Sequence, residues 1–364
     1  MNILYISKLS GNMWAGPNNS VPAQIVAQAE IDNVFWYNIN HKTKKTWEES
    51  GVFHNLIDYP NRKISELPYP FSKPDLVIFE GIYAYPFSAL AYEVQKLNIP
   101  YILIPRCELT QKAQRHKTLK KLVGNIIYFK RFIRRAAAIQ YLTKDEYNDS
   151  GEKWNNKHIT IPNGIEKKAI YNRNFSENRL KGIYIGRIEI YQKGLDILIE
   201  VCSKIKDEMR NNNCTINLYG PDRGGAKNKL ITMITEAGLE DLITINDGVF
   251  GEKKTEVQKD ADFFIMTSRF EGHPMGLIEA LAYGLPSLVT KGSNMADEIS
   301  KMNAGWTSDT NVLGIAKSFK QLMKDRNEFE NKSRNAIALA SKYDWNEIAK
   351  TSHQKYIELI KRLV

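Results

Sequence analysis

The sequence predicts an α/β chain made of two parallel-sheet domains, and three observations carry that expectation. Short apolar runs alternate with helical stretches along all 364 residues, as strands linked by crossover helices do. The length exceeds one ordinary core and suits two. A polar stretch, residues 163–178, separates the runs into two sets and reads as a linker.

The first set places strands at residues 3–7, 34–37, 76–79, 101–104 and 138–142. The start, Met1-Asn-Ile-Leu-Tyr-Ile-Ser7, lacks a basic leader and a cleavage site, so it reads as the first strand. The second set places strands at 182–185, 215–219, 243–246, 263–266 and 287–289. Helices are expected at 22–30, with Pro22 in the first turn, and at 195–210 and 277–283. The tail reads as an amphipathic helix running to Leu363. In such sheets, ligands bind beyond the carboxyl ends of the strands.

Composition narrows the class. With 43% hydrophobic and 25% charged residues, the chain reads as a soluble globular protein. No apolar run approaches the ~20 residues that cross a bilayer. Cys107, Cys202 and Cys214 are widely spaced and form no zinc pattern; without an export leader they read as free thiols in a reducing cytoplasm. The net charge is +10, and nine Lys/Arg with no Asp or Glu lie between Thr110 and Thr143. Aromatic and aliphatic residues interleave there at helical spacing. One reading is a pair of core-packed helices with a solvated basic face; the other is a surface for anionic lipid or a phosphate-bearing acceptor. No nucleic-acid-binding motif appears.

The most informative stretch runs from Ser268 to Pro286. An apolar run precedes it, a Gly/Pro-rich turn opens it, and an Ala/Leu-rich helix follows. The turn sets Glu271 and Glu279 eight positions apart. A strand–turn–helix of this kind points backbone N–H groups at whatever sits above the turn, which suits phosphate. Two carboxylates beside it suit sugar hydroxyls. Arg187 and Lys193, six residues apart between a strand and a helix, suit a pyrophosphate: Arg forks to two oxygens and Lys adds a point charge. The first turn, residues 7–22, carries Gly11 and Gly16, which allow close backbone approach to a ligand. Arg106 and Glu108 follow a strand in Ile104-Pro-Arg-Cys-Glu-Leu-Thr110. These last two segments read equally well as surface turns. Asp260-Ala-Asp262 has the look of a metal pair but fits a helix-to-strand junction more simply.

Together these residues resemble the family 4 retaining glycosyltransferases of the GT-B fold, over nearly the whole chain. The match is strongest at Glu271–Glu279, the Glu-x7-Glu motif, with Gly284-Leu-Pro286 after it, and at Gly186-Arg187 with Lys193-Gly194. Residues 105–135 resemble the bacterial surface-polysaccharide branch. The resemblance implies two Rossmann-like domains whose sheets face a central cleft: 1–165, with the helix 345–364 packing back on it, and 166–344. It implies that Arg187 and Lys193 bind the donor diphosphate, Glu279 the ribose and Glu271 the donor sugar. Gly272, His273, Pro274, Met275, Gly276 and Leu277 then face sugar and phosphates, Val249 and Phe250 the base, and Gly16 the diphosphate. Arg106 stands where many members carry a His that supports the reacting sugar; it stays protonated and is no base, so Glu108 is the alternative there. Pro274, in Gly-His-Pro-Met where Gly-Phe-Gly is commoner, removes one N–H donor.

The expected activity is metal-independent, cofactor-free transfer of a sugar from a nucleotide diphosphate to a hydroxyl, with retention. The expected acceptor is a lipid-linked glycan at the inner membrane face, reached through residues 110–143 and without nucleic acid. An epimerase or phosphorylase on the same scaffold, or a non-catalytic sugar-nucleotide-binding subunit, are the alternatives.

Overall fold

The computed structural model describes residues 1–12, 16–85, 89–115, 129–166, 173–175 and 178–363. The chain divides into two compact units: Met1–Gly164 with Trp345–Val364, and Ile165–Asp344.

The first unit holds a seven-stranded parallel sheet: β1 (Asn2–Ser7), β2 (Asn33–Asn38), β3 (Phe53–Asn55), β4 (Leu76–Glu80), β5 (Tyr101–Ile104), β6 (Ala138–Tyr141) and β7 (His158–Thr160). Their order is β3-β2-β1-β4-β5-β6-β7. The second unit holds six parallel strands: β8 (Leu180–Ile185), β9 (Cys214–Tyr219), β10 (Ile243–Asn246), β11 (Phe263–Met266), β12 (Ser287–Thr290) and β13 (Gly305–Ser308), in the order β10-β9-β8-β11-β12-β13. Each sheet is covered on both faces, so central strands such as β5 and β11 are continuous apolar runs. In β1, Leu4 and Ile6 join one core cluster while Ile3 and Tyr5 join the other. In β8, Ile183 and Ile185 pack on one face and Leu180 and Tyr184 on the other.

The edge strands β3, β7 and β13 escape sequence reading because they are short and carry His54, Asn55, Thr160 or Ser308 in place of an apolar run. Two helices also differ from expectation. The first begins at Pro17, not Pro22, and runs to Ala29; Gly16 caps it and Pro22 lies inside it. Its first turn, Pro17-Asn-Asn-Ser20, looks like loop, yet Asn18 and Ser20 are buried there. The Asn18 amide donates to the Asn12 carbonyl (2.7 Å) and the Ser20 hydroxyl to the Gly16 carbonyl (3.2 Å), so these polar side chains are satisfied within the helix start. The helix expected at 195–210 breaks at Ile205 (φ −121°) into Leu195–Lys204 and Lys206–Asn211.

The last helix, Trp345–Lys361, belongs to the first unit. Trp345, Ile348 and Tyr356 share a core cluster with Ile3, Tyr5, Val21 and Ile25. A Cβ on Gly164 would lie 2.4 Å from the Trp345 ring, so only glycine fits there. A buried carboxylate fixes the helix further along: Asp32 accepts from the Met1 ammonium (2.8 Å), the Gln28 amide (2.6 Å) and His353 Nδ1 (2.9 Å). Burial alone would raise its pKa, but these partners together hold it below the ordinary carboxylate value.

A group whose folded pKa is depressed stabilises the fold above its unfolded pKa, about 4 for Asp, and loses that contribution as pH falls through the folded value. The melting-temperature gap between wild type and Asp32→Asn is therefore widest near pH 7. It should shrink as pH falls below about 4; a gap that is constant with pH contradicts this assignment.

Candidate functional site

The order of the second sheet reverses between β8 and β11, the place where open α/β sheets bind ligands. Arg187 and Lys193 follow β8, and Glu271 follows β11. Beyond β8, Glu189 caps the single turn Ile190–Lys193, accepting from the N–H groups of Tyr191 (3.1 Å) and Gln192 (2.8 Å). Gly194 then takes a left-handed conformation (φ +62°), and a Cβ on it would lie 2.1 Å from the Thr267 carbonyl. The Thr267 hydroxyl donates to the Gly194 carbonyl at 2.9 Å. Glycine therefore lets the β8 loop lie against the end of β11, and this approach delivers Lys193.

Lys193 and Glu271 are both buried. Lys193 Nζ donates to Glu271 Oε1 at 2.6 Å, and the Ser268 hydroxyl donates to the same oxygen at 2.7 Å. Among the described residues, Glu271 Oε2 receives no hydrogen bond and remains available to a ligand hydroxyl. The turn carrying Glu271 is held from several sides. Arg269 forks to both oxygens of Asp196 (2.8 Å each), and its own N–H donates to the Gln192 carbonyl (2.8 Å). Thr290 Oγ1 donates to the Ser268 carbonyl (2.7 Å). Asn294 Nδ2 donates to the Glu271 carbonyl.

Pro274 caps the helix Met275–Ala282, whose first N–H groups have no intrahelical partner. Gly276 brings this helix start to the end of β8: a Cβ there would lie 2.7 Å from the Ile185 carbonyl. Leu277 is buried in the core beside Val249 and Met266, so its side chain serves packing. The His273 ring packs edge-on against Tyr343, 4.8 Å between centroids. Glu279 is half-buried and paired with Lys254. Both line a cavity of about 580 Å³ with Thr255, Gln258 and Tyr283. Val249 is buried, and Phe250 begins the helix Gly251–Asp260 that forms the wall of this cavity. Arg187 is half-buried and reaches Gln192 Oε1 at 3.3 Å.

Gly16 and Arg106 belong to the first unit. Gly16 is exposed, and a Cβ there would meet nothing within 4 Å. Arg106 (φ +47°) donates four hydrogen bonds: to Glu80 (2.7 Å), Ser20 (3.1 Å), Asn163 (3.1 Å) and Gln24 (3.0 Å). Its side chain is 9% exposed, so four of its five donors are spent inside the unit. Glu108 accepts from the Ile82 N–H at 2.6 Å. The neighbouring Cys107 N–H donates to buried Glu146, whose carboxyl burial pushes above the ordinary value.

Much of the basic segment, including His116, Lys117, Lys120 and Lys121, lies outside the described residues. Lys130, Arg131, Arg134 and Arg135 are exposed on the helix Lys130–Arg135, while Phe132 and Ile133 are buried. Asp260 ends a helix and pairs with Arg179 and Lys181; Asp262 accepts from the Lys181 N–H (2.7 Å). That pair is a junction, as its position suggests.

The sequence does not signal Ser268, Lys254 or Asn294 as site residues. Ser268 sits in the motif without a distinguishing pattern, and Lys254 and Asn294 come from a polar helix and a polar loop.

Residues 166–339 match the family model Glycosyl transferases group 1. An uncharacterized glycosyltransferase of Methanocaldococcus jannaschii is 24% identical over 335 residues, 91% of this chain and 86% of its own. The N,N'-diacetylbacillosaminyl-diphospho-undecaprenol alpha-1,3-N-acetylgalactosaminyltransferase of Campylobacter jejuni is 23% identical over 200 residues, 55% of this chain and 49% of its own. The structure of Anabaena HepE in complex with UDP and glucose superposes with a TM-score of 0.73 at 16% identity, covering 98% of this chain and 100% of that one. Most of the second unit thus matches a group 1 glycosyl transferase domain, and the chain is a glycosyltransferase of GT-B fold.

Proposed function

We propose that the protein moves a sugar from a nucleoside-diphosphate donor to a hydroxyl of a lipid-linked glycan, with retention and without a metal, as a family 4 enzyme of surface-polysaccharide synthesis. The observation that carries this is the Lys193–Glu271 pair at the switch point, with one carboxylate oxygen left open. A buried ammonium, and the start of the helix Met275–Ala282 that follows Glu271 in the chain, suit the charge that grows on a departing diphosphate. Glu271 Oε2 suits a sugar hydroxyl, and Glu279 on its cavity suits a ribose. Arg187 supplies the second cation, and the backbone from Gly272 to Gly276 lines the sugar and phosphate position. The backbone at Val249 and Phe250 flanks the base. Arg106 acts by shaping that unit, with Glu108 beside it.

In the transfer, the bond from the anomeric carbon to the diphosphate oxygen breaks. A bond to the acceptor oxygen forms on the same face, and the acceptor proton leaves toward the diphosphate. Catalysis rests on positioning and on neutralising the leaving group. In this reading the protein is cytoplasmic and membrane-peripheral; the acceptor class is supported by the Campylobacter jejuni relative, whose name specifies a diphospho-undecaprenol substrate, and membrane contact by the exposed basic helix Lys130–Arg135.

Purified protein assayed in EDTA with UDP-glucose, UDP-N-acetylgalactosamine and GDP-mannose tests this. Turnover of one donor should persist in EDTA. Lys193→Ala should lower kcat/KM about 10²–10³-fold, the loss typical of one charge-stabilising donor. Glu279→Ala should act mainly on donor KM. Equal activity in all three proteins refutes the site, and conversion of donor without acceptor refutes transfer. Co-sedimentation with vesicles should rise with anionic lipid and fall with salt; indifference to both refutes the membrane role.

A further inference from the structure

We propose that Asn294 is a positioning residue: it aims the Gly272 backbone N–H, in the Glu271 turn, at the donor. This rests on the donor-site reading above.

Asn294 lies beyond β12, at the end of the short turn Lys291–Ser293. Its backbone is left-handed (φ +59°), a conformation Asn and Gly adopt at low cost. That twist sends its side chain to the Glu271 turn, where Nδ2 donates to the Glu271 carbonyl and approaches the Gly272 carbonyl at 3.5 Å. Two successive carbonyls therefore face one amide.

Peptide planarity gives this a consequence. In a trans peptide the carbonyl of one residue and the N–H of the next point in opposite directions. With the Glu271 carbonyl turned to Asn294, the Gly272 N–H points to the opposite side of the chain. The Gly272 N–H donates to no described residue. The same plane sets the start of the Glu271 side chain, whose Oε1 is already held by Lys193 and Ser268. Neighbouring contacts keep Asn294 in place. Gly292 packs so closely that a Cβ would lie 2.2 Å from the Ser268 carbonyl, and Asn294 N–H donates to the Lys291 carbonyl at 3.2 Å.

The test separates the amide from the backbone. Asn294→Gly keeps the left-handed conformation and removes the side chain; Asn294→Asp keeps the shape and sets a carboxylate against two carbonyls. Thermal melting, steady-state kinetics with the donor active above, and glycine-selective ¹⁵N NMR are measured on both, with calorimetry of UMP and GMP. Misplacement of a turn by about 1 Å can cost 100-fold in rate. Asn294→Gly is expected to shift the Gly272 amide resonance and lower kcat tenfold or more. Its melting temperature should stay within a few degrees of wild type. Monophosphate affinity should stay within twofold, because a nucleoside monophosphate depends on Glu279 and its cavity. Asn294→Asp should be at least as impaired. An unmoved Gly272 resonance, or wild-type kcat in Asn294→Gly, overturns the role of Asn294. So does a loss of kcat that follows a fall in melting temperature. Full activity in Lys193→Ala instead overturns the donor-site reading beneath it.

Discussion

One close approach organises the second unit. Gly194 lies against the Thr267 carbonyl, where a single added carbon would sit at 2.1 Å. This contact brings the loop after β8 onto the end of β11, two strands adjacent in space but far apart in sequence. Lys193 meets Glu271 across 78 residues because of it. Arg269 and Asp196 close the other side of the same junction with a two-pronged ion pair. Two loops are thus tied into one surface, on which charge can be placed before a ligand arrives.

The first unit uses the same device with a different charge. Arg106 lies at the end of β5 in a left-handed conformation and gathers Glu80, Gln24, Ser20 and Asn163 around it. These partners come from β4, the helix Pro17–Ala29 and the chain just before Gly164. A buried guanidinium needs such a set, since an unpaired one is costly to bury. Removing it would disturb the strand ends, the helix start and the chain crossing together. Asp32 and His353 fasten the last helix to the same unit from its other end.

The central architecture was legible because buried parallel strands must be apolar runs, as Phe263-Phe-Ile-Met266 is. The strand–turn–helix that carries Glu271 was legible because an apolar run, a Gly/Pro-rich turn and an Ala/Leu-rich stretch follow one another there. What escaped was set by tertiary contact. Edge strands such as His158–Thr160 carry no apolar signature. Pro17 begins a helix in a stretch of Asn and Ser that local propensity assigns to a loop. The burial of Arg106 depends on Glu80, 26 residues earlier, and on helix residues more than 80 away. Asn294 contributes one amide and one unusual φ, neither of which Lys-Gly-Ser-Asn announces.

The two acids of the motif differ in how they can meet a ligand. Lys193 and Glu271 expose 11% and 7% of their side chains, whereas Lys254 and Glu279 each expose 25%. Separating a buried pair leaves a desolvated charge on each side, at a cost of roughly 3–5 kcal/mol. A pair more accessible to water is worth less and separates more easily. A ligand must therefore add to the first pair without breaking it, through Glu271 Oε2 and the remaining protons of Lys193. At the second it can displace Lys254 and take the carboxylate for itself. The motif combines a fixed acid with an exchangeable one. That division fits the proposed donor site, in which the sugar end is held in one geometry while the nucleoside end admits and releases the ligand.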